Sequence, residues 1–224
     1  MYLSRIRLGP RATEDSTFWR RVQDAYHAHS LIWDLFSDGP ERERDFLFRQ
    51  EEFHGLPGFL TVSRRPPSSR NGTWLVETKP YNPVLREGMQ LGFALRANPI
   101  RTVQDDNRRH HRHDVVMDAK RRLGEKQSER KPSLPEIVQE AGVAWLASRS
   151  EPHGFTFSPG EVSADGYTRL QLVKEGSHAL IQLSTIDFSG RLTIRDPERF
   201  RVALESGIGP AKGFGCGLLL VRPV

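Results

Sequence analysis

Apolar residues recur along the first hundred positions with two different periods. Tyr2 to Leu8 alternates, with Tyr2, Ser4, Ile6 and Leu8 on one side and Leu3, Arg5 and Arg7 on the other, which predicts a strand with one buried face. From the N-cap candidates Ser16 and Thr17 the period lengthens to that of a helix, running to about Phe36 and ended by Ser37-Asp38-Gly39-Pro40. At about 100° per residue its apolar arc passes through Leu31, Leu35, Ala28, Ile32, Ala25, Phe18, Phe36 and Val22. Residues 45–53 and 58–64 read as strands joined across His54 to Pro57, residues 73–79 as a further extended piece, and residues 89–97 as an alternating strand that stops at Asn98-Pro99. One strand, a helix, two strands, a loop and a returning strand fit a β-α-β-β-(α)-β unit of the ferredoxin-like kind over residues 1–102.

Residues 101–131 break the pattern. Ten Lys or Arg against six Asp or Glu give this segment a net +4 of the chain's +5. That suits an exposed connection with a basic insertion around 121–132, inside which 114–117 reads as a short strand. A helix follows from Leu134 or Pro135 to about Ser148, with Ile137, Val138, Ala141, Ala144, Trp145 and Ala147 as its expected buried face. Strand-like pieces come next at 155–157, 167–174, 178–187 and 190–194, with Lys174-Glu175-Gly176-Ser177 as a hairpin tip. Asp196 as N-cap and Pro197 at the first helical position predict a helix to Glu205, closed at Gly207, before a last strand over 218–221. The expected class is α+β, with two tandem ferredoxin-like (RRM-like) domains. The first covers 1–102, a basic connection and insertion covers 103–133, and the second, with a glycine-rich loop, covers 134–224.

The net charge of +5 and sequence pI of 9.6 suit a polyanionic partner. One cysteine, Cys216, excludes an internal disulfide framework and a cysteine zinc site, and fits a reducing compartment. No apolar run reaches spanning length and the N-terminus is strand-like, so a soluble cytoplasmic protein without a membrane partner is expected. The absence of H-E-x-x-H, Ser/His/Asp and D-x-D motifs removes the simplest hydrolase readings and argues against a two-metal nuclease. Neither a metal nor another cofactor is expected.

Two stretches carry candidate chemistry. His29 lies just inside the edge of the first helix's apolar arc, one turn from Tyr26 at its rim. An imidazole near its ordinary pKa of ~6.5 can take or give a proton at neutral pH, and a tyrosine on the same side can orient it. A boundary histidine packed for structure is the competing reading. Gly207 to Gly217, G-I-G-P-A-K-G-F-G-C-G, holds five glycines and Lys212 in eleven residues. Backbone N–H groups around Lys212 would suit a phosphate oxygen; a glycine-rich turn packing the last strand under a helix accounts for the same spacing. His110, His111 and His113 with Asp114 lie among arginines whose charge opposes a divalent cation, so a solvated basic loop ranks above a zinc site. His27 points about 100° away from Tyr26 and reads as a surface residue.

Taken in order, M-Y-L-S-R-I at the start, Y-x-x-H at Tyr26 to His29 followed by L-I-W-D-L-F, R-D-F-L-F-R at Arg44 to Arg49, F-A-L-R-A-N-P-I-R-T at Phe93 to Thr102 and G-I-G-P-A-K-G-F-G-C-G-L-L near the end resemble one family. This is the CRISPR-associated endoribonuclease family CasE, which cuts precursor CRISPR RNA in type I-E systems. The resemblance implies a metal-independent endoribonuclease that binds a repeat stem-loop, uses the RNA 2′-OH as nucleophile, leaves a 2′,3′-cyclic phosphate and stays with the mature RNA among the other Cascade subunits. It assigns catalysis to His29 with Tyr26 beside it. The expected RNA-binding set is Lys212, Gly209, Gly213, Gly215, Arg169, Lys174 and Arg96. Residues 121–133 stand as an insertion relative to shorter members, and no lysine follows His29 within its helix, which leaves Lys212 as the candidate cation. A non-catalytic RNA-hairpin scaffold explains charge, fold and glycine loop equally well; the Y-x-x-H match favours the enzyme.

Overall fold

The computed structural model describes residues 1–14, 18, 22, 25–36, 44–69, 72–104, 108, 110–124, 132–173 and 180–224, without the side chains of 13, 14, 25–28, 103, 104, 110, 172 and 173. In chain order its elements are β1 (Tyr2–Leu8), α1 (Ala25–Asp34), β2 (Phe46–Phe53), β3 (Leu56–Ser63), β4 (Trp74–Pro80), β5 (Gln90–Ala97), β6 (Ile100–Gln104), β7 (His110–Asp114), α2 (Val115–Gly124), α3 (Leu134–Ser150), β8 (Phe155–Thr156), β9 (Val162–Val173), β10 (Leu180–Ile194), α4 (Pro197–Ser206) and β11 (Leu219–Pro223), with a 3₁₀ turn at Lys212–Phe214. Besides a two-stranded β6-β7 sheet, two larger antiparallel sheets are described, ordered β2-β3-β1-β4 and β11-β5-β10, with β9 and β8 pairing the far side of β10. Each follows the ferredoxin-like order, in which the first and third strands are central.

This topology moves one strand between units. The alternating stretch expected to close the first unit, β5, pairs with β10 and β11 and is the opening strand of the second sheet. The first sheet is complete with β4 at Pro80, so the division between sheets falls in 81–89 and not at 102. Alternation specifies that a strand buries one face; it carries no information about which edge it joins. Two further readings change. Asp114 to Met117 is not a strand: Asp114 ends β7, and its Oδ1 accepts from the backbone N–H of Val116 (2.8 Å) and Met117 (3.0 Å), opening α2. The start of the expected basic insertion is helical: α2 runs to Gly124, and the buried Asp118 gathers Arg101, Arg122 and Arg121 at 2.8, 3.0 and 3.3 Å, while residues 125–131 lie outside those described.

Other local signals act as expected. His54 and Gly55 both take positive φ (54° and 77°), the two-residue hairpin turn that matches strand twist. Asp196 accepts from Glu198 and Arg199 N–H at 3.0 Å and starts α4. On α3 the expected buried face holds at Ile137, Val138 and Trp145, joined by Leu146 and Gly142, but not at Ala144 and Ala147, which face solvent. Gly142 permits this contact, since a Cβ there would lie 2.9 Å from that of Ala164 and 3.3 Å from the Phe188 ring.

Each sheet has its own core, one built on Ile6, Ile32, Phe36, Phe48 and Phe59, the other on Leu95, Leu146, Ile186, Phe188 and Phe200. A third cluster ties them: Leu47 and Val62 from the first sheet meet Leu218, which leads into β11. The glycine-rich loop therefore lies where the units meet.

Candidate active site

His29 is carried by α1, which is clamped to the first sheet by Leu31 and Ile32 within it and by Leu35 and Phe36 just beyond its end, all buried. That seating leaves the imidazole half-buried and turned toward the loop. The 3₁₀ turn packs against α1: the rings of His29 and Phe214 are 5.9 Å apart and tilted by 33°, and Trp33 contributes an edge-on ring at 6.0 Å. Gly213 is the point of closest approach. A Cβ there would lie 3.4 Å from Arg44 Nη1 and 3.6 Å from His29 Cε1, so an imidazole, a guanidinium and a bare stretch of backbone converge.

The electrostatics follow from this crowding. Burial lowers the pKa of His29 below the ordinary imidazole value; the Gly213 backbone favours the charged ring and partly offsets this, and the Arg44 charge lowers it again. Nδ1 is buried without a hydrogen-bond partner among the described residues. Burial also lowers Arg44, and lowers Lys212 together with the Arg44 charge, which places the lysine and the guanidinium within each other's field. A neutral imidazole beside two cations can accept a proton while the cations stabilise negative charge on a phosphoryl group.

Arg44 was not among the residues assigned a role by sequence, although it opens the R-D-F-L-F-R block. Its position is invisible to periodicity because it precedes β2 in an irregular segment.

The other expected site residues separate. Gly213 borders the histidine. Gly209, at φ +82°, faces Trp145, whose ring would lie 3.2 Å from a Cβ, and serves packing on α3. Gly215, at φ +78°, backs onto Phe48 at 3.3 Å. The packing reading therefore holds at Gly209 and Gly215, while the middle of the loop borders His29 and Arg44. Arg96 is engaged: Nε and Nη2 donate to the two oxygens of Asp187 at 2.8 Å each, and Nη1 to the Gln50 backbone carbonyl at 3.4 Å, linking the two sheets. This pairing raises its pKa further. Arg169 is exposed on β9, opposite Ser184 on β10. The Tyr26 side chain and Lys174 lie outside the described residues. His111 and His113 are on β7, rings 6.4 Å apart, and no group of three metal-ligating side chains converges among the described residues. None of the helices described is long and apolar enough to cross a membrane.

Comparison with known proteins adds a consistent set of likenesses. A family described as CRISPR-associated protein matches residues 1–223. The Cascade subunit CasE of Escherichia coli K12 is 33% identical over 233 residues, and the CRISPR-associated endoribonuclease Cse3 of Thermus thermophilus is 29% identical over 238, each alignment covering all of both chains. Among solved structures, Cse3 bound to a 19-nucleotide RNA is 28% identical with a TM-score of 0.73, and Cas6e of E. coli K-12 is 27% identical with a TM-score of 0.66, again over the whole of both chains.

Proposed function

Since the chain belongs to the CasE/Cse3 family of CRISPR-associated proteins, we propose that it is the endoribonuclease that cuts the repeat stem-loop of precursor CRISPR RNA at His29 and remains with the product as a Cascade subunit. The observation that carries the site is the convergence of His29, Arg44 and the Lys212–Phe214 turn where the two sheets meet. RNA supplies its own nucleophile, the 2′-OH beside the scissile phosphate, so the protein has only to align it, move protons and neutralise charge. His29, held neutral by burial, takes the 2′-OH proton. Arg44 and Lys212 stabilise the phosphorane as the 2′-oxygen bonds to phosphorus; the P–O5′ bond then breaks, the 5′-oxygen takes a proton from water, and the His29 imidazolium returns its proton to solvent. The products are a 2′,3′-cyclic phosphate and a 5′-OH. Tyr26 orients the histidine from one turn earlier.

One assay tests the chemistry. Prefolded repeat RNA incubated with the protein in EDTA should be cut at the same rate as without chelator, and RNA carrying a 2′-deoxy nucleotide before the cut should be bound and left intact. A strict requirement for added metal, or cleavage of the deoxy substrate, would overturn it.

A further inference from the structure

Beside His29 lies a cavity that the phosphodiester chemistry leaves unused. It measures about 240 Å³ and opens between the sheets, walled by Phe48, Thr168, Thr185, Asp187, Phe214 and Gly215. Phe214 is common to both places. Its half-buried ring borders the cavity and stands 5.9 Å from the His29 ring, so a group in the cavity is within one nucleotide of a phosphate at the histidine. The volume falls below the ~300–1,000 Å³ of ordinary small-molecule pockets and suits a single planar group.

The lining has a definite chemistry. Thr168 and Thr185 are opposite each other across β9 and β10, on the same face as Asp187. The strand pairing is irregular between Thr185 and Asp187, near Gly166 at φ +61°, which leaves backbone and no side chain at that part of the wall. Asp187 receives Arg96 on both oxygens, and a carboxylate so paired retains lone pairs for further donors. Arg96 also lines the cavity, held in place by this pair and by the Gln50 carbonyl. An aromatic wall, two hydroxyls and an acceptor carboxylate match the π-face and the N–H edge of a nucleobase, the groups by which unpaired RNA bases are read.

We propose that this cavity receives the base of one nucleotide flanking the scissile phosphate, stacked on Phe214 with its N–H edge toward Asp187, Thr168 and Thr185. The inference rests on the endoribonuclease reading above and adds a determinant of where the RNA is cut. A base held there is splayed out of the stem, which fixes the adjoining phosphate at His29 by the geometry of a single nucleotide.

The test uses the full-length protein and repeat RNA carrying an abasic residue immediately 5′ or 3′ of the cut, in single-turnover cleavage. At one of the two positions the abasic substitution should slow the wild-type protein by about 5- to 100-fold, the range expected for loss of one base–aromatic stack. Phe214→Ala should slow intact RNA by a similar factor and abasic RNA no further. If Phe214→Ala slows intact and abasic RNA equally, the ring acts only through His29 and the proposal fails; it fails also if both abasic RNAs are cut at the intact rate. Thr168→Val, at an exposed strand position that tolerates a β-branched replacement, should change the preference among the four bases at that nucleotide. An unchanged preference would remove the hydrogen-bonded edge. Absence of cleavage of intact RNA by the wild-type protein would instead strike the underlying endoribonuclease reading.

Discussion

The roles proposed for His29 and Arg44 are separable at the scale of single residues. His29→Ala should lower the cleavage rate by about 10²–10⁴ while leaving RNA affinity nearly intact, because proton transfer contributes to the transition state and little to ground-state binding. Parallel loss of binding and cleavage would make the histidine structural. Arg44 acts on the same ring through its charge. Burial is the largest cause of the depressed His29 pKa and Arg44 a smaller one, so the rising limb of kcat/KM against pH should fall below ~6.5, the ordinary imidazole value. Removing a nearby positive charge stabilises the imidazolium, so in Arg44→Ala the limb should move to higher pH, with a lower plateau as phosphorane stabilisation is lost. A limb that stays in place would show that the two groups are not coupled in solution. The histidine was legible in the sequence because the helix period and the Y-x-x-H spacing both point to it. Arg44 was not, since nothing in an irregular segment indicates which way a side chain turns.

Within the glycine-rich loop, packing and the proposed site fall to different glycines. Gly209 combines φ +82° with a Trp145 ring 3.2 Å from a would-be Cβ, whereas a Cβ on Gly213 meets nothing closer than 3.4 Å. Gly209→Ala should therefore destabilise the protein by about 1–3 kcal/mol, the usual cost of a side chain in left-handed backbone. Thermal unfolding would register this as a drop of several degrees. Gly213→Ala should unfold near the wild-type temperature but cut RNA more slowly, since its methyl group points between Arg44 and His29. Equal thermal effects would deny the division of labour within the loop. Glycine spacing announced an unusual loop, yet it could not distinguish these positions, because the difference lies in what the fold brings opposite each α-carbon.

Across the whole molecule, the basic residues sort by whether they are already paired. Arg169 is exposed, while Arg96 is committed to Asp187 and to the Gln50 carbonyl. Replacing Arg169 and Lys174 together by alanine should weaken stem-loop binding and make the salt dependence shallower, by up to about 0.9 in log–log slope for each phosphate that is no longer neutralised. Arg96→Ala should leave that slope unchanged and lower stability by roughly 1–3 kcal/mol, the cost of leaving a partly exposed carboxylate with Arg49 at 3.7 Å as its nearest remaining cation among the described residues. Filter binding across a salt series, with melting curves for each variant, separates the two; a shallower slope in Arg96→Ala would return that residue to the RNA surface. By itself the sequence determined most strands of both units, the helix carrying His29, the helices opening at Leu134 and Asp196, and the family, because periodicity, capping chemistry and motif order are local properties of the chain; it missed α2 and the β6–β7 pair and split β10 in two. Only the tertiary structure decided that β5 opens the second sheet, that Arg44 meets Lys212 and His29, and that Arg96 is spent on Asp187. These depend on which surfaces are brought together once each face is buried, and residues as distant along the chain as His29 and Lys212 carry no mark of it.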